Sequence, residues 1–126
     1  MIARPKSLKQ VAERSGSLTE FGLNLRDWLH ELRRASSRAQ ALDMVIEEPP
    51  RLQEKFPQGC IADAWLGAYA EHLARKVDRV APAWAFAPER IASDPVFDEN
   101  AKSSALRILA LAYSPAAFKR RNIYTP

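Results

Sequence analysis

The sequence predicts an all-α fold, a helical bundle of five to seven helices in one domain, and three observations predict it. Apolar residues recur at 3.6-residue spacing in several segments, and no alternating run supports a sheet. The nine prolines fall at 5, 49, 50, 57, 82, 88, 95, 115 and 126, outside every strongly periodic segment, where proline would break the hydrogen-bond ladder. Glycine is scarce, with four in 126 residues, which fits helices joined by rigid corners.

Taken in order, a first short helix starts at Ser7, with Gln10 as its capping-box partner, Leu8, Val11 and Ala12 inward, and Gly16 as a stop. Residues 1–6 are expected to form a loose N-terminal stretch. The second helix opens on the Ser17/Glu20 box, carries the stripe Leu18, Phe21, Leu25, Trp28, Leu29 and Leu32, and closes on Arg33 and Arg34 at the negative end of its dipole. A third is predicted over Ser37 to Glu48, with Leu42, Val45 and Ile46 inward, ended by Pro49-Pro50. After the connector Arg51 to Gln58, a long helix is predicted over Ile61 to Arg79 on the ladder Ile61, Trp65, Leu66, Tyr69, Leu73 and Val77.

The next connector, Val80 to Pro88, is apolar, proline-bearing and without a charge. Short turns are expected at Pro88 to Ala92 and near Val96-Phe97. A further helix over Ala101 to Tyr113 would place Leu106, Leu109, Ala110 and Tyr113 on one side. Ser114-Pro115 reads as an N-cap followed by proline at the first helical position of a last helix to about Arg121.

Composition narrows the function classes. Hydrophobic residues make up 47% and charged residues 27%, which excludes collagen-like and disordered chains. The longest unbroken apolar run, Ile108 to Tyr113, is far below a membrane span, and the N-terminus has no apolar signal core, so the cytoplasm is the expected address. Net charge is +4, and most cations sit beside acids, as in Glu13-Arg14 and Asp78-Arg79. That pattern describes a mixed surface better than a phosphate-binding one.

No catalytic or metal constellation emerges, so an enzyme, a cofactor and a metal are not expected. Asp27, His30 and Glu31 share a helix face, but the only other histidine, His72, has Tyr69 rather than an acid three residues before it. Cys60, the one cysteine, reads as a small core residue, and Glu47-Glu48 as a solvated helix end. The stretch Leu8 to Leu25 has helix-turn-helix spacing. Its supposed recognition helix opens Leu18-Thr19-Glu20-Phe21-Gly22, with no base-reading side chain until Asn24, which disfavours DNA. Trp84 and Phe86 in the uncharged connector, and Phe118 before Lys119-Arg120-Arg121, are the candidate partner-binding residues; a lid over the core explains Trp84 and Phe86 equally well. In this reading Phe118 packs back on the body and the three cations fan outward.

Three stretches carry a resemblance: FGLNLRDWLHEL at Phe21–Leu32, DAWLGAYAEHLARK at Asp63–Lys76 and SPAAFKRRNIY at Ser114–Tyr124. The pattern resembles a group of small uncharacterised bacterial all-helical proteins over about Leu18 to Ile123, SPAAFKRRN being its most specific piece. The resemblance implies genes set beside those of nucleotidyltransferase-like proteins, in a layout like that of toxin–antitoxin modules, and relatives that continue a little beyond the position of Pro126. It implies a partner-binding, antitoxin-like role and supplies no functional residues. The expected function is therefore a non-enzymatic protein-interaction module, with a DNA-binding autoregulator as the alternative and homo-oligomers left open.

Overall fold

The computed structural model describes residues 3–98 and 101–125. The chain is mostly helical: α1 (Leu8–Glu13), α2 (Leu18–Leu32), α3 (Arg38–Asp43), α4 (Gly59–Lys76), two 3-10 turns (Ala83–Phe86 and Pro88–Arg90), α5 (Ser104–Tyr113) and α6 (Ala116–Lys119). Two residue pairs, Val96 with Ile123 and Phe97 with Tyr124, form a parallel ladder of strands β1 and β2. This ladder corrects the expectation of no sheet. It is too short to show alternation, and Asn122 sets it up by entering the left-handed region (φ 65°) just before Ile123.

The first three helices start on one device. Ser7, Ser17 and Ser37 each accept the backbone N–H three residues on, at 3.1 Å. The side chains of Gln10, Glu20 and Gln40 reach back to the N–H of Lys6, Gly16 and Ser36. Each start thereby satisfies one of the donors that a helix leaves orphaned, together with the N–H of the residue before the cap. Ser103 caps α5 in the same way, through Leu106 N–H, so that helix begins three residues later than predicted.

Two further boundaries move for identifiable reasons. α3 stops at Asp43 rather than Glu48 because the Met44 carbonyl accepts the Leu8 N–H of α1 at 2.9 Å, which pulls the chain out of the helix. Val45 remains buried, but Ile46, expected inward, is half exposed. At the other end of the chain Ser114 does not cap α6: its hydroxyl donates to the Ala110 carbonyl, Pro115 takes the cap position, and α6 is a single turn. Residues 3–6 lie against α1 and α2, with Pro5 buried, the Ala3 carbonyl accepting from Arg14 and Lys6 paired with Glu31; the first two positions of the expected loose stretch lie outside the described residues.

α4 is the axis of the fold, touching α2, α3, α6 and both 3-10 turns. Ala62, Ala64, Gly67, Ala68, Ala70 and Ala74 are buried around it, and small side chains let neighbouring backbones come close on several sides. One core cluster joins α1, α2, α3 and the 51–58 connector around Trp28, Leu52 and Leu66. A second joins Ala64 and Ala68 to Phe118 and Ile123 of the C-terminal segment. Trp65 and Tyr69 pack against both. The predicted α4 ladder therefore divides: Leu66 and Leu73 are buried, whereas Ile61, Trp65 and Tyr69 keep one side toward solvent. No helix among the described residues is long and apolar enough to cross a membrane.

Candidate docking surface

The predicted partner-binding residues separate into an inner and an outer set. Arg121 is the main correction: expected outward, it is 1% exposed. Its guanidinium donates to Glu71 Oε1 at 2.6 Å, to the Ala117 carbonyl at 2.7 Å and to the Ala85 carbonyl at 2.6 Å. A planar fork with several fixed donors suits this one-carboxylate, two-carbonyl seat, where a lysine would reach one acceptor at a time. Phe118 is buried as expected, edge-on to Trp65, Tyr69 and His72. Both residues serve the interior.

Trp84 is half-buried, tied by its indole N–H to the Ile46 carbonyl at 3.2 Å and covered by the Arg90 guanidinium. Phe86, Lys119 and Arg120 form the outer set. Phe86 is 48% exposed with the Arg120 and Arg121 guanidinium carbons 5.9 and 5.5 Å from its ring centroid. Lys119 donates to the Ala112 carbonyl at the end of α5. The structure thus brings Phe86 together with Arg120 and Arg121, and leaves Lys119 toward α5 and Trp84 toward Arg90.

Two buried ion pairs hold this side of α4. Asp63 accepts the N–H groups of Leu52 and Gln53 at 2.7 and 3.0 Å, and Arg90 joins it at 3.1 Å while donating to the Pro49 carbonyl. Burial pushes the Asp63 carboxyl up, against the two N–H donors and Arg90, which favour its charge. Glu71, 1% exposed, receives Arg121 on one oxygen and faces Arg75 and Arg120 at 2.9 and 3.2 Å on the other, a charge contact without hydrogen-bond alignment. Burial pulls both Arg90 and Arg121 down from their ordinary value, and the carboxylates oppose it. Gly67 lies where these systems cross: a Cβ there would meet Arg121 Nε at 2.9 Å, Arg90 Cβ at 3.0 Å and the Ala85 carbonyl at 3.1 Å. Helical spacing alone does not single out Asp63, Glu71 and Arg90, which the sequence reading missed. The signal was present in two acids on a helix otherwise rich in alanine, a composition that buries nearly every face.

The other residues singled out from the sequence are engaged elsewhere. Glu31 is held by Lys6 at 2.8 Å, with Arg4 and Arg34 nearby, and the Lys6 hydrogen bond lowers its pKa. Glu47 pairs with Lys9. Cys60 lies at the start of α4 and is partly buried. Among the described residues, no group of three or more His, Cys, Asp and Glu side chains is gathered as a metal would require.

An apolar groove of about 680 Å³ opens between α2, α4 and β1. One wall is α2, where Leu18, Phe21, Leu25 and Leu29 follow helical spacing with Gly22 between them. The opposite wall is Ile61, Trp65 and Tyr69 of α4, and Val96 and Phe97 of β1 close one side. Among the described residues, the charged ones in its lining are Arg26 and Asp98. Burial, and secondarily Asp98, raises the pKa of Tyr69, so this phenol stays neutral across the physiological range. Two smaller hollows are lined mainly by polar and charged residues, including Lys6, Glu31 and Arg34 in one and Lys9, Glu13 and Arg51 in the other. The groove can exclude water around an apolar side chain.

Comparisons with protein-family models, with curated proteins and with solved structures match nothing to this chain.

Proposed function

We propose that this chain is a non-enzymatic protein-interaction module, a single helical domain that docks a protein partner in the α2–α4 groove. The observation that carries the reading is the groove itself, an apolar cleft whose walls are aliphatic and aromatic. Its α2 wall is the segment that a DNA-binding reading would need to be basic, yet between Leu18 and Arg26 the only cation is Arg26, and Glu20 is bound to Gly16 N–H. That charge geometry favours protein over DNA. The resemblance of the three sequence stretches suggests the partner class, a nucleotidyltransferase-like protein encoded alongside, neutralised in the manner of an antitoxin. Phe86 with Arg120 is a flanking contact in this reading, since an exposed aromatic beside an arginine suits an interface rim.

The test is co-expression with the product of the neighbouring reading frame and capture through a tag on one of the two. Ile61→Glu places a charge on the groove wall at a half-buried position and is expected to abolish capture while the helical circular-dichroism signal persists. Undiminished capture by a folded Ile61→Glu variant would refute the groove as the docking surface.

A further inference from the structure

We infer that in the absence of that partner the groove seats α5 of a second copy of this chain, each copy giving one helix and taking one, and that a docked partner takes the place of α5. The inference rests on the reading of the groove as a docking surface and adds a specific occupant. α5 is an apolar helix left largely uncovered: Ile108 is 64% and Tyr113 72% exposed, Leu106, Leu109 and Leu111 are each close to half exposed, and only Ala110 is buried. A ten-residue helix is marginal in water without tertiary packing, and within the chain α5 meets chiefly β2. Its one charge, Arg107, is already engaged, with its guanidinium 5.2 Å from the Phe97 ring centroid and a bond to the Ala101 carbonyl.

Two features of the groove match this helix. At 1.5 Å per residue, α5 is about 15 Å long, and the α2 wall from Leu18 to Leu29 runs about 18 Å. Gly22 is the second feature. It sits exposed in the middle of α2, where glycine is less favourable than alanine, and a Cβ built there meets nothing within 4 Å. The chain's own packing does not require that glycine. An incoming helix backbone lying against α2 does, because a bare Cα permits close approach.

Size agrees as well. Ten residues of α5 and twelve of the groove place about twenty residues on each side, which is the scale of a standard interface. Because helix and groove belong to the same surface, a two-fold axis makes the contact self-complementary and closes it as a dimer.

The experiment is sedimentation equilibrium of the full chain from low to high micromolar concentration, with two variants. Gly22→Leu fills the groove at a position with internal room, and Ile108→Lys with Leu111→Lys removes the apolar helix. The wild type is expected to be a dimer and each variant a monomer, with Gly22→Leu melting no lower than the wild type when the two are compared at a dilution where both are monomeric. Mixed together, the variants are expected to form a one-to-one complex, since one supplies a helix and the other a groove. With one seat in place of two, that complex should be roughly 10²–10⁴-fold weaker than the wild-type dimer. A wild-type monomer throughout, an open-ended mass increase, a dimer that survives either variant, or variants that stay separate at a concentration 10⁴-fold above the wild-type midpoint would each overturn the inference. Capture of the neighbouring gene product is scored separately. A monomeric chain that still captures it ends this inference and leaves the docking reading, whereas a dimer that captures nothing ends the partner assignment alone.

Discussion

Arg121 shows how one residue changes the meaning of a motif. In sequence it is the last of three cations after Phe118, and a basic triplet reads as a surface feature. In the structure it is the internal fastener of the C-terminal segment, holding α6 to Glu71 of α4 and to the 3-10 turn at Ala85. Its removal leaves Glu71 Oε1 and the Ala85 and Ala117 carbonyls buried without their donor, while Arg75 and Arg120 still face the other Glu71 oxygen, so Arg121→Ala is expected to cost about 3–5 kcal/mol. Lys119→Ala, at an exposed position, should change stability by no more than about 0.5 kcal/mol. Urea unfolding of both variants measures the contrast, and equal midpoints would refute the fastener. The two tryptophans differ in the same sense. Trp28 is fully buried and its replacement by alanine should cost about 3–5 kcal/mol, while Trp65, open to the groove on one side, should cost less.

His72 adds a pH dependence at the same scale. Burial against Phe118, and then Lys76, lowers its pKa, so the unfolded chain binds the proton first. Stability is therefore complete above about pH 6.5 and falls as the pH drops below that value. The lowered pKa of Glu31 places its own loss further down, below about pH 4.5, as its contacts with Lys6, Arg4 and Arg34 are protonated away. Melting temperatures of the wild type and His72→Gln between pH 7.5 and 5 test the first window. The variant should lose less across it, and parallel curves would exclude His72 as the cause.

Among the elements, what was legible followed from local chemistry. α1 and α2 begin where a serine meets a glutamine or glutamate three residues later, and both starts were readable because the donors and acceptors lie within one turn. The end of α3 was not readable, since it depends on Leu8 N–H reaching the Met44 carbonyl from 36 positions away. The same holds for the β1–β2 pair, which joins residues 96–97 to 123–124. α5 failed in another way: its apolar spacing is real, but periodicity does not say whether an apolar face meets this chain or another. Hydrogen exchange tests that element directly. α4, buried on nearly every side, should exchange at rates set by global unfolding, and α5 in dilute solution should exchange far faster. Comparable protection of the two in a dilute sample would mean that α5 is covered within its own chain.

The whole molecule is organised around α4, which has Trp28 and α2 on one flank and the Asp63–Arg90 and Glu71–Arg121 pairs on the other. The ion-paired flank ties down the connector and the C-terminus, and the groove lies on the α2 flank between Leu18–Leu29 and Ile61–Tyr69. The groove was the least legible part of the site: Leu18, Phe21, Trp65 and Tyr69 were all recognised as apolar helix positions, but a stripe that lines a cleft has the same spacing as one that fills a core. Hydroxyl-radical footprinting separates the two candidate surfaces, comparing the free chain in dilute solution with the chain captured by its partner. The account predicts that oxidation of Trp65, Tyr69 and Phe97 drops on binding while oxidation of core Trp28 stays low in both states. Protection confined to Phe86, with Trp65, Tyr69 and Phe97 unchanged, would contradict it.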